Sequence, residues 1–220
     1  EMRSVAIELR QQLHLLVLGD SECGKTATLR VVCRELQRTT TTVKLYIVDP
    51  RRSLLGIVEP GSEKLGGYAA SVDEVGELMP RLMETLRRRM PPSTATPTQI
   101  RTRSWWAGPE IYVLVDDYDL LAAAGGNPLA PLLEVLPYSR DLGFHLVVAR
   151  SSSGAARAMF EPLLAAMRDA YCTTLLMSAS PEEGLTIGSV RPSHLPPGRG
   201  VLIPRRGDPQ LIQVGWTPAQ

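Results

Sequence analysis

Residues 13–26 read LHLLVLGDSECGKT. The apolar run at residues 13–18 ends at a glycine and has the character of a strand buried on both faces, as a parallel sheet requires. Beyond it, Gly19-Asp20-Ser21-Glu22-Cys23-Gly24-Lys25-Thr26 satisfies the pattern GxxxxGK[ST] in full. Residues 25–38 then carry Leu29, Val32, Cys33 and Leu36 at helical spacing. Strand, glycine-rich turn and helix form the setting in which such a turn binds phosphate. Inward-pointing backbone N–H groups take anionic oxygens, and glycines permit the dihedrals that this needs. The helix N-terminus favours negative charge. Lys25 adds a point charge for the β and γ phosphates, and Thr26 offers a hydroxyl to Mg2+, which keeps most of its waters. Residues 19–26 are therefore expected to bind ATP with Mg2+.

Outward from this loop, the threonine run 39–42 closes the helix. Residues 43–48 (VKLYIV) read as a second strand ending at Asp49-Pro50, which completes one βαβ unit. Residues 72–90 place Val72, Val75, Leu78, Met79, Leu82, Met83, Leu86 and Met90 on one helical stripe, stopped by Pro91 and Pro92. Residues 93–108 read as a polar surface loop closed by Trp105 and Trp106. The preferred fate of that pair is packing of a ring against the next strand, with a docking site as the alternative. Residues 111–115 (IYVLV) read as a third strand, 129–136 as a short helix, 144–149 (FHLVVA) as a fourth strand and 154–167 as helical with Pro162 inside. His145 reads as a packed structural histidine. Residues 175–177 suggest a fifth strand, and 201–203 with 210–214 a closing antiparallel pair. The expected fold class is α/β: a mainly parallel sheet flanked by helices, with the antiparallel pair at the C-terminus.

Asp116 lies at the carboxyl end of the third strand, where phosphate-loop proteins place the second acidic residue that holds Mg2+, usually through water. Asp117 follows. In hydrolases the next position usually carries a glutamate that polarises the attacking water. Aspartate is one methylene shorter, and a misplacement of more than about 1 Å can cost on the order of a hundredfold in rate. Asp117 and Asp119 each have two readings, catalysis or turn and helix-cap chemistry. Arg140, Arg150, Arg157, Arg168 and Arg199 are all candidates for an arginine that reaches a transition state.

The chain has 220 residues, 44% of them hydrophobic, enough for one domain with a full core. A formal net charge of +1 gives no electrostatic case for nucleic acid or an acidic membrane patch. The cluster Arg87-Arg88-Arg89 suits a solvated helix end. Cys23, Cys33 and Cys172 show no disulfide or zinc spacing, and a reducing compartment fits them. No run of about eighteen apolar residues is present. Glu1, Arg3, Glu8 and Arg10 do not suit a signal peptide. Because the sequence opens on Glu1, it is expected to be a single domain, residues 1–220, from a longer chain.

Several segments occur in a telling order: the phosphate loop, Asp49-Pro50-Arg51-Arg52-Ser53-Leu54-Leu55, Trp106-Ala107-Gly108-Pro109-Glu110, Val115-Asp116-Asp117-Tyr118-Asp119-Leu120 and Leu195-Pro196-Pro197-Gly198-Arg199-Gly200. Together they resemble the C-terminal (third) ATPase domain of EccC, the FtsK/SpoIIIE-type motor of type VII (ESX) secretion. His145 to Arg150 and the Ser-Gly-Ala-Ala-Arg that follows resemble it too. The resemblance implies a RecA/FtsK-like fold and a parent with tandem ATPase domains, held at the inner face of the cell membrane, working in the cytoplasm and assembling as a hexamer. It also implies that the last domain docks the C-terminal tail of a small secreted helical hairpin. Two positions depart from active motors: Asp117 stands for glutamate, and Arg150-Ser151 for a Thr-Gln sensor. Both point to slow hydrolysis. The readings that follow are an ATP-binding recruitment domain, a competent translocation ATPase or a DNA translocase. The charge balance disfavours the last, since phosphate-backbone binding needs clustered Lys and Arg.

Overall fold

The computed structural model describes residues 4–9, 11–122 and 126–216. Glu1, Arg3 and Arg10 lie outside the described residues. Strand β1 (His14–Gly19) is buried at every position and pairs in parallel with β5 (Phe144–Ser151) on one side and β6 (Cys172–Met177) on the other. Strands β2 (Val43–Val48), β3 (Leu65–Ala69) and β4 (Glu110–Val115) extend the parallel run, whereas β7 (Arg199–Ile203) and β8 (Gln210–Gln213) close it antiparallel. The full order is β3-β2-β4-β5-β1-β6-β7-β8, one mixed α/β sheet of the expected class.

Alternate residues of each central strand serve two cores. Leu15, Val17, Leu45 and Ile47 meet Leu29, Cys33 and Leu36 of helix α1 (Lys25–Arg38) on one face. Leu16, Leu18, Val48 and Val115 meet helices α2 (Val72–Arg87) and a later helix bearing Leu163, Leu164 and Met167 on the other. Burial on both sides explains why these strands read as unbroken apolar runs.

Several expectations shift in detail. β3 reads LGGYA and carries no apolar pattern. Its glycines are there for space: a Cβ at Gly66 would come within 2.6 Å of the Tyr46 ring, and one at Gly67 within 2.3 Å of Leu78. Helix α2 ends at Arg87, before the two prolines, and its N-cap Ser71 accepts from Glu74 N. The polar stretch 93–108 contains α3 (Pro97–Thr102), started by a Thr96/Gln99 capping box. Region 129–136 forms 3-10 turns at Ala130–Glu134 and Leu136–Tyr138, each with a proline in its first positions. Two more short helices are α4 (Tyr118–Ala122) and α5 (Ser139–Leu142). Region 154–167 divides into α6 (Ala155–Ala158) and α7 (Pro162–Asp169), because Pro162 lacks an N–H and is placed at a helix start.

Arg89 departs from the solvated reading of its cluster. It is buried, donates to Leu142 O at 2.9 Å and Pro109 O at 2.8 Å, and lies 4.2 Å over the Trp106 ring. Trp105 and Trp106 are half-buried and donate to Arg89 O and Asp141 O, each at 2.8 Å, so the pair packs. His145 is structural as expected: buried, stacked on Tyr112, with Nδ1 donating to Leu13 O at 3.0 Å and Nε2 3.1 Å from Glu110 Oε2.

Burial alone would raise the Glu110 pKa, but the His145 hydrogen bond and the Arg103 guanidinium, 3.0 Å from Oε1, hold it down from 4.5 to about 2. A folded value below the unfolded one means that this stabilisation is complete above about pH 4.5 and fades as pH falls towards 2. Glu110→Gln is expected to lose roughly 1–3 kcal/mol at pH 7. Urea unfolding should also show a smaller difference between pH 7 and pH 3 in the variant than in the parent.

Candidate functional site

The loop leaves β1 at the centre of the sheet and opens α1. Gly24 takes φ 108° at the helix N-cap, and a Cβ there would lie 3.1 Å from Gly198 N. A Cβ at Gly19 would fall 2.5 Å from Cys23 Sγ and 2.9 Å from Met177 Cβ. Gly19 is therefore required by close approach, and Gly24 by its left-handed backbone in a tight fit. The loop is pinned from three sides. Gly198 N donates to Cys23 O at 2.8 Å, Asp20 N to Ser178 O at 2.8 Å and Ser152 N to Gly19 O at 3.0 Å. The Ser152 hydroxyl also meets Asp20 Oδ1. Ser21 and Glu22 form the exposed crest, Glu22 with φ 60°. Cys23 points back into the protein, and burial pushes its thiol pKa up.

Lys25 Nζ donates to Gly19 O at 3.0 Å and Asp20 O at 2.7 Å, so its ammonium lies over the loop. The first turn of α1 has no acidic residue, and nothing on it neutralises the positive pole of the helix. Thr26 Oγ1 donates to Asp116 Oδ2 at 2.7 Å, joining the loop to the end of β4. Burial raises the Asp116 pKa to about 6; the Asp117 and Asp49 charges add to this and the Thr26 hydrogen bond opposes it.

Asp117 adopts φ 45° and donates its N–H to Asp116 Oδ1 at 3.1 Å. Its carboxylate lies 3.0 Å from Arg51 Nε. Burial raises its pKa and Arg51 opposes that. Asp119 accepts from Ser151 N at 3.0 Å, which is turn chemistry. At the end of β2, Asp49 is fully buried. Its Oδ2 accepts from Leu54 N at 2.6 Å and from the Tyr68 hydroxyl at 2.9 Å, while Oδ1 has no protein partner. An orphaned buried acceptor costs about 1–3 kcal/mol.

Among the described residues no three His, Cys, Asp or Glu side chains form a cluster able to hold a metal ion alone. The donors present are one hydroxyl, one carboxylate and one unpaired carboxylate oxygen nearby. They fit a hydrated Mg2+ that shares its shell with phosphate, and do not fit an all-protein cage. Of the arginine candidates, Arg150 is buried and bonded to Ser151 O and Ser153 O at 3.0 and 3.2 Å, so it is turned into its own chain. Arg140, Arg157, Arg168 and Arg199 are exposed. Ser152 and Ser178 join the site without any motif of their own, whereas Asp49, the acid that ends a strand, and Arg51 belong to the Asp49-to-Leu55 segment.

No protein-family model matches the chain. The ESX-4 secretion system protein EccC4 of Mycobacterium tuberculosis is 55% identical over 216 residues, covering 97% of this chain and 17% of that protein. A solved structure of Thermomonospora curvata EccC (ATPases 2 and 3) in complex with a signal sequence peptide superposes with TM-score 0.91 at 39% identity. It covers 97% of this chain and 38% of that one. A structure described as an ATPase gives TM-score 0.87 at 31% identity, over 98% of this chain and 84% of that one. The chain thus spans a small part of the curated relative. It belongs to the EccC family of type VII (ESX) secretion proteins, as an ATPase domain of that family.

Proposed function

We propose that this domain binds ATP with Mg2+ in residues 19–26, hydrolyses it slowly when isolated, and recruits substrate to an ESX secretion motor. The observation that carries the nucleotide reading is the Thr26–Asp116 hydrogen bond of 2.7 Å beside Lys25, at the mouth of a glycine-shaped loop. Gly19, Asp20, Ser21, Glu22, Cys23 and Gly24 supply the backbone cradle. Lys25 exchanges two backbone carbonyls for phosphate oxygens. Thr26 and Asp116 hold the cation, Asp116 through water. Bound Mg2+ would neutralise charge on the β and γ phosphates.

Slow turnover follows from the surroundings of Asp117. It is the shorter acid, its backbone is left-handed, and its carboxylate is engaged by Arg51. Arg150 is committed to its own strand end, and an isolated domain has no neighbour to lend an arginine. In the parent motor, this domain is the C-terminal (third) ATPase, working beside other ATPase domains in a hexamer at the cytoplasmic face of the membrane. No described helix is long and apolar enough to cross a membrane.

The partner is the C-terminal tail of a small secreted helical hairpin. Support comes from the solved relative, which is a complex with a signal sequence peptide. Two apolar-rich stretches, residues 155–167 and 120–136, are candidates to line its groove; the first puts Met159, Leu163 and Leu164 into the core and leaves Phe160 outside, 81% exposed. In the 120–136 stretch, Leu121, Leu129, Leu132, Val135 and Leu136 are likewise buried. Among the described residues of that stretch Leu120 is exposed, and neither stretch presents a row of free apolar anchors among its described residues.

Three outcomes are expected. At a hundredfold excess over Kd, ATP stabilises the parent by roughly 2.7 kcal/mol. That corresponds to a rise in Tm on the order of 5–10 °C, and Lys25→Ala removes it. An equal shift in the variant would refute the loop assignment. Steady-state turnover of the isolated domain stays below about 1 s⁻¹, and a faster rate contradicts the weakened site. A labelled substrate tail binds the ATP-loaded domain with micromolar affinity, about −8 kcal/mol. Fluorescence anisotropy without saturation at about 100 μM, a hundredfold above that affinity, would end the recruitment reading for this domain.

A further inference from the structure

Val48 of β2 pairs with Val115 of β4, so the next residues, Asp49 and Asp116, end their strands side by side. Register partners in neighbouring strands direct their side chains to the same face of a sheet. Two residues earlier, Ile47 and Leu114 both pack on the face that α1 covers. Asp49 therefore faces α1 alongside Asp116, the carboxylate that meets Thr26.

One oxygen of Asp49 is already spoken for. Oδ2 accepts both the Leu54 amide and the Tyr68 hydroxyl, and these two bonds orient the carboxylate. Oδ1 is fully buried and unpartnered. Buried carboxylate oxygens are almost always hydrogen-bonded, to protein or to ordered water. Here the oxygen without a donor belongs to the acid that flanks the cation position.

We infer that Asp49 is a positioning residue for the cation of the nucleotide site: its Oδ1 accepts a hydrogen bond from a water in the coordination shell of the Mg2+ that Thr26 and Asp116 hold. This inference rests on the nucleotide reading proposed above. It suits the ion, because Mg2+ dehydrates reluctantly and keeps several waters, which need acceptors. It also accounts for a carboxylate beside the site that forms no metal-ligating cluster with its neighbours. Tyr68, by orienting Asp49, acts one step further back. Partners of this kind typically change metal affinity 10–100-fold.

The test is Asp49→Asn, with ATP binding measured by calorimetry first in excess EDTA and then along a Mg2+ titration. Asparagine keeps an oxygen for Leu54 and Tyr68 but presents an amide NH2 where Oδ1 stood, a donor in place of an acceptor. The expected result is an unchanged metal-free ATP affinity and a Mg2+ half-point raised about tenfold. If circular dichroism shows that Asp49→Asn does not fold, Tyr68→Phe decides. It releases one of the two bonds that orient the carboxylate, and is expected to raise the half-point about threefold. An unchanged half-point in the folded variant overturns the inference. Equal weakening of ATP with and without Mg2+ overturns it too, since that pattern marks a purely structural residue. Failure of the underlying reading would look different: ATP binding that Lys25→Ala leaves intact would overturn both.

Discussion

The phosphate loop must be held in shape by groups that do not use up its own inward amides, and this constraint organises the molecule. β1 lies between β5 and β6, hydrogen-bonded on both sides, so the residue that begins the loop is fixed in space. The ends of the flanking strands then grip the loop from outside: Ser152 after β5, Ser178 after β6 and Gly198 before β7 each bond a loop backbone group. Those bonds engage carbonyls and the first amide of the turn. The antiparallel strands β7 and β8 extend the sheet and also bring the Gly198 turn against Gly24, whose Cβ would lie 3.1 Å from Gly198 N.

Electrostatics at the carboxyl ends of the parallel strands follow from the same topology. β2 and β4 are neighbours, and each is followed by an aspartate, so Asp49, Asp116 and Asp117 gather at one end of the sheet, with Lys25 and Arg51 within range of Asp117. Burial makes the ionised form of Asp116 costly, and its like-charged neighbours add to the cost. A site of this kind gains most from a dication, which turns the mutual repulsion of the acids into shared attraction. The site is acidic around Asp116 and basic, through Lys25 and the α1 N-terminus, over the loop.

The opposite end of the sheet has a structural task. At the amino ends of β4 and β5, Glu110 joins Arg103 and His145, while Arg89 ties α2 to the strand entries and packs on Trp106. The segment Trp106-Ala107-Gly108-Pro109-Glu110 is thus a packing device. Gly108 takes φ 140°, a backbone angle that L side chains rarely adopt.

The sequence by itself determined the strand–loop–helix unit at residues 13–38, because period, glycine placement and the Lys-Thr pair all act within one short stretch. It also determined the buried parallel strands, since burial on both faces leaves an unbroken apolar run, and the acids that end them. Tertiary structure alone decided the rest. β3 was hidden because its glycines answer to Tyr46 and Leu78, residues distant in sequence. Arg89 read as a solvated cation because only the fold brings two carbonyls and an indole to it. The engagement of Asp117 by Arg51, the inward turn of Arg150 and the unpaired oxygen of Asp49 depend on which strands are neighbours. Sheet order is set by long-range packing and leaves no local pattern for a sequence to display.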